Sequence, residues 1–529
     1  MISFLCEKIR GGRVNGLYTT IILIFLSLFI SLSLAYGRQG FEKYNNFYKV
    51  NLAQGSGGPT IEIAGARNEY LSLLFEVDGA DPSSFKIAVF PKIDGLVWQF
   101  YQVVAAPRGS ADYDVLLPID QGIDKVSPLY IWATAKIKEE VKPGTHRAEI
   151  VFTDASGSFR QMVTIKTWNL TLPADLPIPI MAGLFPRPEW FQRYGAGNAA
   201  QFDALIKKYL AGMREYKINA LGQFYPLPVQ EILKNRKIAE FPRFHAILSY
   251  ALHDLGYRYF FVPVLLGAKT MEKPGSTFLA DAGIYYRTMN EYLQKNGWLD
   301  RGIVYLWDEP EAQEYHLVYK SYAALKEIAP NLKTMMAGGE YGESSLELTD
   351  VVDILVIYAK AINPGKLQAF KEKGQQIWLY ANRFHGLGQL PVHPRSIGWF
   401  LYNQKFSGYF FWGVNYWPQD PWTTPAGRDN FWRRGTFFYP HPKTGEPCPS
   451  VRLEAVRQGL QDYFYLQKFD EAHRQGLIAS GVYETLQKRI QAVTQNLKKL
   501  QVPVTMAEMD GIRWQIGEAL HNLQKQIAN

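Results

Sequence analysis

Residues 302–310 read GIVYLWDEP, an apolar run of strand length that ends in two adjacent carboxylates followed by a proline. A carboxylate at the end of a buried strand is costly unless it is paired, hydrated or used in chemistry. Asp308 and Glu309 are therefore the first candidate catalytic residues. The rest of the chain can be interpreted by whether it builds a site around them.

This strand is one of a repeating series in which apolar strands alternate with helical stretches. Strands are predicted over residues 180–185, 218–224, 257–266, 302–307, 333–337, 354–358, 377–381 and 408–412. Helices are predicted over residues 199–216, 243–255, 280–295, 312–328, near 346, 364–373 and 393–404. Eight such units match a (β/α)8 TIM barrel over residues 180–447. A doubly wound sheet is the alternative, but it rarely needs eight units.

Two further regions flank the predicted barrel. Residues 41–176 contain short alternating or apolar runs separated by Gly, Pro, Asp and Ser clusters, which predicts an antiparallel β-sandwich. Residues 449–529 have a helical pattern, with Ser450 as the cap of the first helix. These helices are expected to pack on the barrel. The predicted fold class is therefore multidomain: a β-sandwich, a TIM barrel and C-terminal helices.

The N-terminus has the features of a targeting segment. Residues 1–35 combine a basic head, an apolar stretch and the small-residue pattern SLA at 33–35, which is typical of a signal peptide. The apolar stretch is also just long enough to span a bilayer, so a retained membrane anchor is the alternative to cleavage. Either form predicts an exported protein, periplasmic or extracellular.

Composition excludes several classes of partner and cofactor. The 529 residues carry a formal net charge of +8, but no long basic run indicates a nucleic-acid or anionic-membrane partner. Membrane contact is expected only through an uncleaved N-terminal segment. Cys6 and Cys448 are the only two cysteines, so a processed chain has no internal disulfide and no zinc-type spacing. We expect no metal and no cofactor, and the oligomeric state stays open.

The position of Asp308 and Glu309 suggests acid–base chemistry. Active sites of TIM barrels lie at the C-terminal ends of the strands, where this pair is predicted to lie. Consecutive strand residues normally point to opposite faces, but Pro310 ends the strand and can let both carboxylates turn toward the barrel mouth. Two neighbouring carboxylates raise one pKa and provide a general acid. The alternative is that Asp308 caps the next helix while Glu309 pairs with a loop arginine.

The seventh predicted strand limits which catalytic mechanisms are possible. Retaining glycosidases ordinarily use a second carboxyl as nucleophile, and in many glycosidase barrels it ends the seventh strand. Here residues 377–384 read IWLYANRF, without an acid. Other loop acids, Glu189, Glu340 and Asp420, are not similarly placed. The pattern favours a substrate that supplies its own nucleophile, as a 2-acetamido group can.

Three ordered sequence blocks then give a specific resemblance. They are GWLD (297–300) ahead of YLWDEP (305–310), GYFFWGVNYW (408–417) followed by DPW (420–422), and PSVRLEAVRQGLQDY (449–463). Together they resemble glycoside hydrolase family 123 over about residues 41–475. The resemblance implies an exo-acting β-N-acetylgalactosaminidase-type enzyme that retains configuration through an oxazolinium intermediate. By that resemblance Asp308 orients the acetamido group and Glu309 is the general acid/base.

Aromatic residues near the predicted strand ends suggest a sugar site, because their rings can stack on pyranose C–H faces. At 14% the aromatic content is high, although composition alone favours aromatic-rich cores over a ligand site as its explanation. Each candidate is as consistent with a core position as with a ligand-facing one. The candidate substrate-binding residues are Trp412, Asn415, Tyr416, Trp417, Tyr358 and Tyr380.

Some polar residues after the barrel are interpreted as structural, and two rival functions for the protein stay open. Arg452 and Glu454 are predicted to form an ion pair that holds the helix on the barrel, and Cys448 is predicted to be inert. One rival function is a glycosidase of other specificity with a conventional nucleophile, for which Glu340 is the nearest candidate. The other is a carbohydrate-binding or envelope-assembly protein without turnover. In every case the expected partner is a glycan.

Overall fold

The structure is a computed structural model. It describes residues 46–52, 55, 58–106, 113–123, 128–225, 229–237, 241–263, 278–338, 348–423, 434–496, 499 and 501–528. The proposed targeting segment, Glu340 and the helix expected near residue 346 lie outside these ranges. Within them, no helix is both long and apolar enough to cross a bilayer.

Two β-sheets face each other in the N-terminal part of the chain. A five-stranded sheet has the order β1-β3-β7-β5-β6 and a four-stranded sheet the order β2-β9-β8-β4. Their apolar faces share one core, in which Phe75 of the first sheet contacts Phe152 of the second with ring centroids 5.0 Å apart. The strands are β1 (Phe47–Asn51), β2 (Ile61–Arg67), β3 (Glu69–Asp78), β4 (Lys86–Phe90), β5 (Leu96–Ala105), β6 (Tyr113–Pro118), β7 (Leu129–Ile137), β8 (Gly144–Asp154) and β9 (Gly157–Thr171).

The β-sandwich expectation is confirmed, with one refinement of its strand directions. Most neighbouring strands are antiparallel, but β1 pairs with β3 and β2 pairs with β9 in parallel. Both parallel pairs lie at the edge of a sheet, where a strand has only one neighbour. The alternating sequence pattern fixes which face of a strand is buried but leaves its direction open.

Eight parallel strands then close into a barrel. Closure occurs where the first barrel strand pairs with the last, through Ile180 opposite Tyr409 and Ala182 opposite Phe411. The barrel strands are β10 (Ile180–Ala182), β11 (Ala220–Leu221), β12 (Tyr259–Phe261), β13 (Gly302–Asp308), β14 (Lys333–Gly338), β15 (Ile354–Tyr358), β16 (Gln376–Tyr380) and β17 (Gly408–Phe411). The TIM-barrel prediction is confirmed, and the doubly wound alternative is wrong because such a sheet stays open.

Helices surround the barrel and complete the C-terminal part. They are α1 (Pro188–Gln192), α2 (Ala199–Glu215), α3 (Val229–Asn235), α4 (Pro242–Ser249), α5 (Phe278–Lys295), α6 (Tyr315–Ile328), α7 (Pro364–Glu372), α8 (Val392–Asn403), α9 (Val451–Arg474), α10 (Ser480–Thr494) and α11 (Met506–Ala528). A short hairpin, β18 (Phe438–Pro440) with β19 (Pro447–Pro449), leads into α9. Ser450 caps α9 as expected, because its hydroxyl accepts a hydrogen bond from Leu453 N at 3.2 Å.

Helix α9 joins the three parts of the molecule, but not through the predicted ion pair. Arg452 pairs with Asp114 of the sandwich at 2.8 Å, whereas Glu454 pairs with Arg457 at 2.7 Å and accepts a hydrogen bond from Tyr216. The expected pair of Arg452 with Glu454 is therefore wrong. Residues two apart on a helix point in different directions and cannot meet.

Cys448 agrees with its structural interpretation. Its side chain is buried, and burial raises the pKa of its thiol. A protonated, inaccessible thiol is a poor nucleophile.

The domain boundaries predicted from the sequence, at residues 176, 180, 447 and 449, stay predictions.

Candidate active site at the mouth of the barrel

A β-bulge in strand β13 turns Asp308 toward the inside of the barrel. Ile303 and Tyr305 face the barrel interior, whereas Leu306 and Trp307, although consecutive, both pack in the outer core. The register shifts at this point, since Tyr305 lies opposite Met335 and Trp307 opposite Met336. Without the extra residue, strand alternation would place Asp308 on the outer face.

The hydroxyl group of Tyr322, on helix α6, holds the bulge. It accepts hydrogen bonds from Leu306 N at 3.1 Å and Trp307 N at 3.3 Å, and it donates one to Met335 O at 2.5 Å. Tyr322 is fully buried, so no water can replace these partners without rearrangement. One phenol therefore satisfies the backbone groups that the bulge removes from the sheet.

We expect Tyr322→Phe to lower the free energy of unfolding by about 1–3 kcal/mol, because it leaves buried backbone amides without a partner. It should also reduce catalytic activity, because the direction of Asp308 depends on the bulge. Chemical denaturation and steady-state kinetics measure the two effects. The matched control is Tyr319→Phe on the exposed face of the same helix. Equal stability and activity in the two variants would contradict a role for the phenol in holding the bulge.

Glu309 reaches the barrel mouth through an unusual backbone conformation. Its φ is +46°, in the left-handed region, while its N–H still donates to Ala337 O at 2.8 Å. A non-glycine residue held in this region costs about 1–3 kcal/mol, and such strain concentrates at functional sites. The turn places Glu309 beside Asp308 instead of on the opposite face of the strand.

The alternative role of Asp308 as a helix cap is wrong. Glu311, not Asp308, caps the short helical turn that precedes α6, in a reciprocal capping box with Glu314. Asp308 instead accepts a hydrogen bond from the Tyr305 hydroxyl. Among the residues that the structure describes, Glu309 forms no ion pair with an arginine. Both carboxylates are solvent-exposed and available to a ligand.

The two carboxylates line a cavity of about 360 Å³ at the C-terminal ends of the barrel strands. This volume falls within the range of sites for small ligands. Gly183 and Gly222 allow the backbones at the cavity wall to approach closely, since a Cβ at Gly183 would lie 2.3 Å from Trp412 O and one at Gly222 would lie 2.9 Å from Gly183 Cα. The lining residues are Gly183, Phe185, Gly222, Gln223, Phe261, Tyr305, Asp308, Glu309, Ala337, Tyr380, Phe410, Trp412 and Tyr416.

A second cavity of about 280 Å³ adjoins the first. The two cavities share Gln223, Phe261 and Tyr305 as a common wall. Other lining residues of the second cavity come from the ends of β10, β11 and β12 and include Arg187. A ligand larger than one ring could therefore extend from the carboxylates across this wall.

The surroundings of Glu309 favour its acid form. Partial burial raises the pKa of Glu309, and the negative charge of Asp308 raises it further. The side chain is accessible to solvent at the cavity mouth, while the neighbouring protein reduces the hydration of its charged form. A carboxyl that keeps its proton closer to neutral pH is suited to general acid catalysis.

Tyr380 lines the cavity, whereas Tyr358 is not among its described lining residues. Their rings are 5.7 Å apart, at opposing positions of β15 and β16. Tyr380 accepts a hydrogen bond from Asn382 Nδ2 at 2.9 Å. Burial and the nearby Glu309 and Asp308 raise the pKa of the Tyr380 hydroxyl. It therefore stays a neutral phenol that can donate its proton in a hydrogen bond.

The four candidates after strand β17 separate into two groups. Trp412 and Tyr416 line the cavity and contact each other edge to face, with ring centroids 5.0 Å apart. Asn415 is fully buried, and its amide bonds both the N–H and the C=O of Phe185. Trp417 is buried and donates to Phe438 O. The structure does not bring Asn415 and Trp417 to the cavity.

The other loop acids are not part of the described site. Glu189 lies in the first turn of α1, and Asp420 accepts hydrogen bonds from Tyr194 and Trp422. Neither lines the cavity. In the described part of the chain, no three His, Cys, Asp or Glu side chains are grouped in a way that could hold a metal ion.

Comparison with known proteins bears directly on this site. Residues 269–469, which contain both carboxylates, match the family model of the glycoside hydrolase 123 catalytic domain. The resemblance to glycoside hydrolase family 123 is confirmed. The match supports a hydrolase of glycosidic bonds, and a glycan is the substrate it implies. No curated protein sequence matches the chain.

Solved structures support the same fold. A family 123 glycoside hydrolase from Clostridium perfringens, studied for glycolipid glycan hydrolysis, superposes with a TM-score of 0.66 at 14% identity, covering 90% of this chain and 95% of that one. At this identity the likeness shows the fold alone. A β-glucuronidase from Bacteroides uniformis (13% identity, 66% and 44% coverage) and an endo-β-1,4-mannanase from Thermotoga petrophila (12%, 55% and 77%) reach only 0.29 and 0.33. These two scores are too low to support an argument.

Several cavity residues were not identified from the sequence. Tyr305 lies in the opening stretch, three residues before Asp308, and its inward position follows from strand alternation. Gly183, Gly222 and Gln223 precede the part matched by the glycoside hydrolase 123 model, after β10 and β11. The sequence feature that could have identified these three residues is the glycine that follows each of two neighbouring barrel strands.

Proposed function

We propose that the protein is an exo-acting, retaining glycoside hydrolase that removes terminal β-linked 2-acetamido sugars by substrate-assisted catalysis. The family resemblance favours N-acetylgalactosamine as the sugar. The observation that carries the proposal is the placement of Asp308 and Glu309 side by side in a ring-sized cavity, with no acid at the end of the seventh strand. We also propose that the enzyme is exported.

In the first step Glu309 donates its proton to the glycosidic oxygen as the bond to C1 breaks. The acetamido carbonyl oxygen of the substrate attacks C1 and closes an oxazolinium ring. Asp308 accepts a hydrogen bond from the acetamido N–H, which turns the amide toward C1 and stabilises the positive charge that develops on it. The Tyr305 hydroxyl donates to Asp308 and fixes the direction of this carboxylate.

In the second step a water molecule attacks C1 from the side that the leaving group has vacated. Glu309, now ionised, accepts a proton from this water, and the ring opens to restore the acetamido group. Two inversions at C1 give net retention of configuration. In this proposal Tyr380 donates a hydrogen bond to the acetamido oxygen, and Trp412 and Tyr416 provide aromatic surface for the sugar, since all three line the cavity.

Asp308→Asn tests the substrate-assisted mechanism. We expect kcat on a 4-nitrophenyl 2-acetamido-2-deoxy-β-galactoside to fall by about 10²–10³-fold. The neutral asparagine side chain can no longer stabilise the positive charge that develops on the acetamido group. The folded state should be retained, since Asp308 is exposed. A thiazoline analogue of the acetamido sugar should inhibit the wild type strongly and the variant weakly. Wild-type rates in this variant would overturn the assignment.

A glycosidase with a conventional enzyme nucleophile gives a different result. Such an enzyme would bind the thiazoline analogue weakly and would accept substrates that lack the 2-acetamido group. A fluorosugar that accumulates a covalent glycosyl-enzyme would identify the nucleophile. A protein without turnover would hydrolyse none of the chromogenic glycosides.

A further inference from the structure

The second cavity shares an aromatic wall with the catalytic cavity. Phe261 and Tyr305 line both cavities, and their rings stack with centroids 5.3 Å apart. The Tyr305 hydroxyl donates a hydrogen bond to Asp308, which lines the catalytic cavity. Tyr305 therefore contacts a catalytic carboxylate and also forms part of the second cavity.

The position of this wall is fixed from the interior of the barrel. Phe410 lines the catalytic cavity and contacts both rings, with centroids 5.9 Å from Phe261 and 6.1 Å from Tyr305. All three side chains belong to the cluster inside the barrel, where close packing leaves each ring little freedom. A ligand that crosses from one cavity to the other meets a preformed aromatic surface.

The rest of the second cavity is mainly apolar. Its described lining residues outside the shared wall and Gln223 are Pro186, Arg187, Phe224, Tyr225, Val229, Val262 and Pro263. The Tyr225 hydroxyl donates to Asp203 at 2.9 Å, and Pro263 O accepts from the Tyr285 hydroxyl at 2.5 Å. Asp203 and Tyr285 do not line the cavity, so these bonds leave mainly carbon atoms to contact a ligand. Arg187 is the charged exception, and it is exposed to water.

Helix α4 supports the apolar surface from behind. Arg243 of α4 bonds both carboxylate oxygens of Asp203, the partner of Tyr225, at 2.7 and 2.8 Å. Phe244 of the same helix packs on Phe224, with ring centroids 6.0 Å apart. A surface that is organised before binding reduces the entropy cost of ordering the site around a ligand.

The carboxylates indicate which part of a substrate each cavity holds. Asp308 and Glu309 line the first cavity and are not among the described lining residues of the second. In the proposed reaction Asp308 acts on the acetamido group of the released sugar, and Glu309 protonates the oxygen between that sugar and the leaving group. The released sugar therefore belongs in the first cavity, and the leaving group extends across the shared wall.

We propose that the second cavity is a leaving-group subsite for an uncharged unit with a flat apolar face. The unit is either an aromatic aglycone or the C–H face of a second sugar. Both present the same chemistry to the rings of Phe261 and Tyr305 and to the apolar lining. This subsite rests on the proposed glycosidase function.

Glycosides that differ only in the leaving group test the subsite. Benzyl and methyl 2-acetamido-2-deoxy-β-galactoside release alcohols of nearly equal acidity, so a difference between them reports binding of the ring. We expect kcat/KM for the benzyl glycoside to exceed that for the methyl glycoside by about tenfold, as burial of an aromatic ring implies. Equal values would overturn the subsite. A 4-carboxybenzyl glycoside should show no further gain, and a tenfold preference for it would overturn the uncharged character.

A disaccharide distinguishes the two sources of the apolar face. N-acetylgalactosamine β-linked to galactose presents a second sugar in place of the benzyl ring. A higher kcat/KM for the disaccharide than for the benzyl glycoside supports the subsite as one for a sugar. The reverse order supports it as one for an aromatic aglycone.

Substitution of Val229 assigns the preference to the second cavity. This residue begins helix α3, is half-buried and lines the second cavity. Val229→Asp should lower the benzyl-to-methyl ratio of kcat/KM about tenfold, because it places a charge on the apolar surface. Val229→Thr is nearly isosteric, so it should fold even if the aspartate variant does not, and it should lower the ratio by a smaller factor.

Val482→Asp is the matched control. Val482 is 51% exposed in the first turn of α10 and lines neither cavity. We expect this variant to keep the wild-type ratio. A ratio that is unchanged in both Val229 variants, or an equal loss of kcat/KM for the benzyl and methyl glycosides, would overturn the assignment of the leaving group to the second cavity.

Failure of the subsite and failure of the proposed function give different results. Turnover of the methyl and benzyl glycosides at equal kcat/KM removes the subsite and leaves the function. If neither is turned over, calorimetric binding of the two glycosides to Glu309→Gln decides. Tighter binding of the benzyl glycoside, lost when Val229→Thr is added, supports the apolar subsite in a protein without turnover. Equal binding of the two glycosides overturns it.

Discussion

Replacing Glu309 with glutamine should lower kcat for 2-acetamido glycosides with poor leaving groups by about 10²–10⁴-fold, the usual contribution of a positioned general acid. Glutamine keeps the shape of the side chain but cannot donate a proton to the glycosidic oxygen. Substrates with good leaving groups, such as dinitrophenolates, need little protonation, so their first step should be much less affected. A leaving-group series measured by steady-state kinetics provides this comparison.

The pH profile gives an independent measure of the same residue. Burial and Asp308 raise the pKa of Glu309, so its acid form persists to a higher pH than in an ordinary glutamate. Activity of the wild type should fall as the pH rises through this raised pKa, because the proton needed for leaving-group departure is lost. Glu309→Gln should lack this limb of the profile.

Glu311→Gln is the matched control for Glu309→Gln. It removes one carboxylate two residues away, and the amide oxygen can still accept the capping hydrogen bond that Glu311 makes. We expect the wild-type leaving-group dependence and pH profile in this control. If Glu309→Gln also keeps both, Glu309 is not the general acid.

The barrel and the position of the carboxylates could be predicted because each depends on a local pattern. Eight apolar runs separated by helical periodicity define the barrel strands, and strand ends in a parallel barrel all point to one mouth. Asp308 and Glu309 end such a run, so their location followed without knowledge of any contact. Charge and polarity along the chain were enough for this part of the site.

The cause of the orientation of the carboxylates could not be predicted, because it depends on a residue from a different element. Strict alternation from Tyr305 would point Asp308 outward, and Pro310 alone does not change this. The bulge at Leu306 reverses the alternation, and it is held by the Tyr322 phenol of the following helix. Nothing in the sequence of β13 specifies that partner.

The aromatic stretch after β17 shows a similar limit. In the sequence GVNYW, residues 413–417, each polar or aromatic side chain is an equally plausible sugar ligand. The structure separates them by burial, since Tyr416 lines the cavity while Asn415 is used to join two loops. Asn415 is not available to a ligand because it is hydrogen-bonded to the backbone of the loop after β10. That loop is distant in sequence, so the contact could not be predicted.

Removal of the Arg452 side chain should have the largest effect on stability. Its guanidinium bonds Asp114 of the sandwich, His385 O and Thr436 O of the barrel loops, and it lies over the Phe437 ring. Both charged partners are almost completely buried. We expect Arg452→Met to lower the free energy of unfolding by about 3–5 kcal/mol, since it leaves the charge of Asp114 buried and unpaired. Thermal and chemical denaturation measure the loss.

A double substitution separates the loss of the pair from the cost of an orphaned charge. Arg452→Met combined with Asp114→Leu removes both charges and should recover much of the stability, because a buried pair is worth little beyond its apolar replacement. The more exposed pair of Arg160 with Glu149, at 2.9 Å, is the matched control, and Arg160→Met should cost at most about 1 kcal/mol. If Arg452→Met is no more harmful than Arg160→Met, the buried cluster does not hold the sandwich, barrel and α9 together.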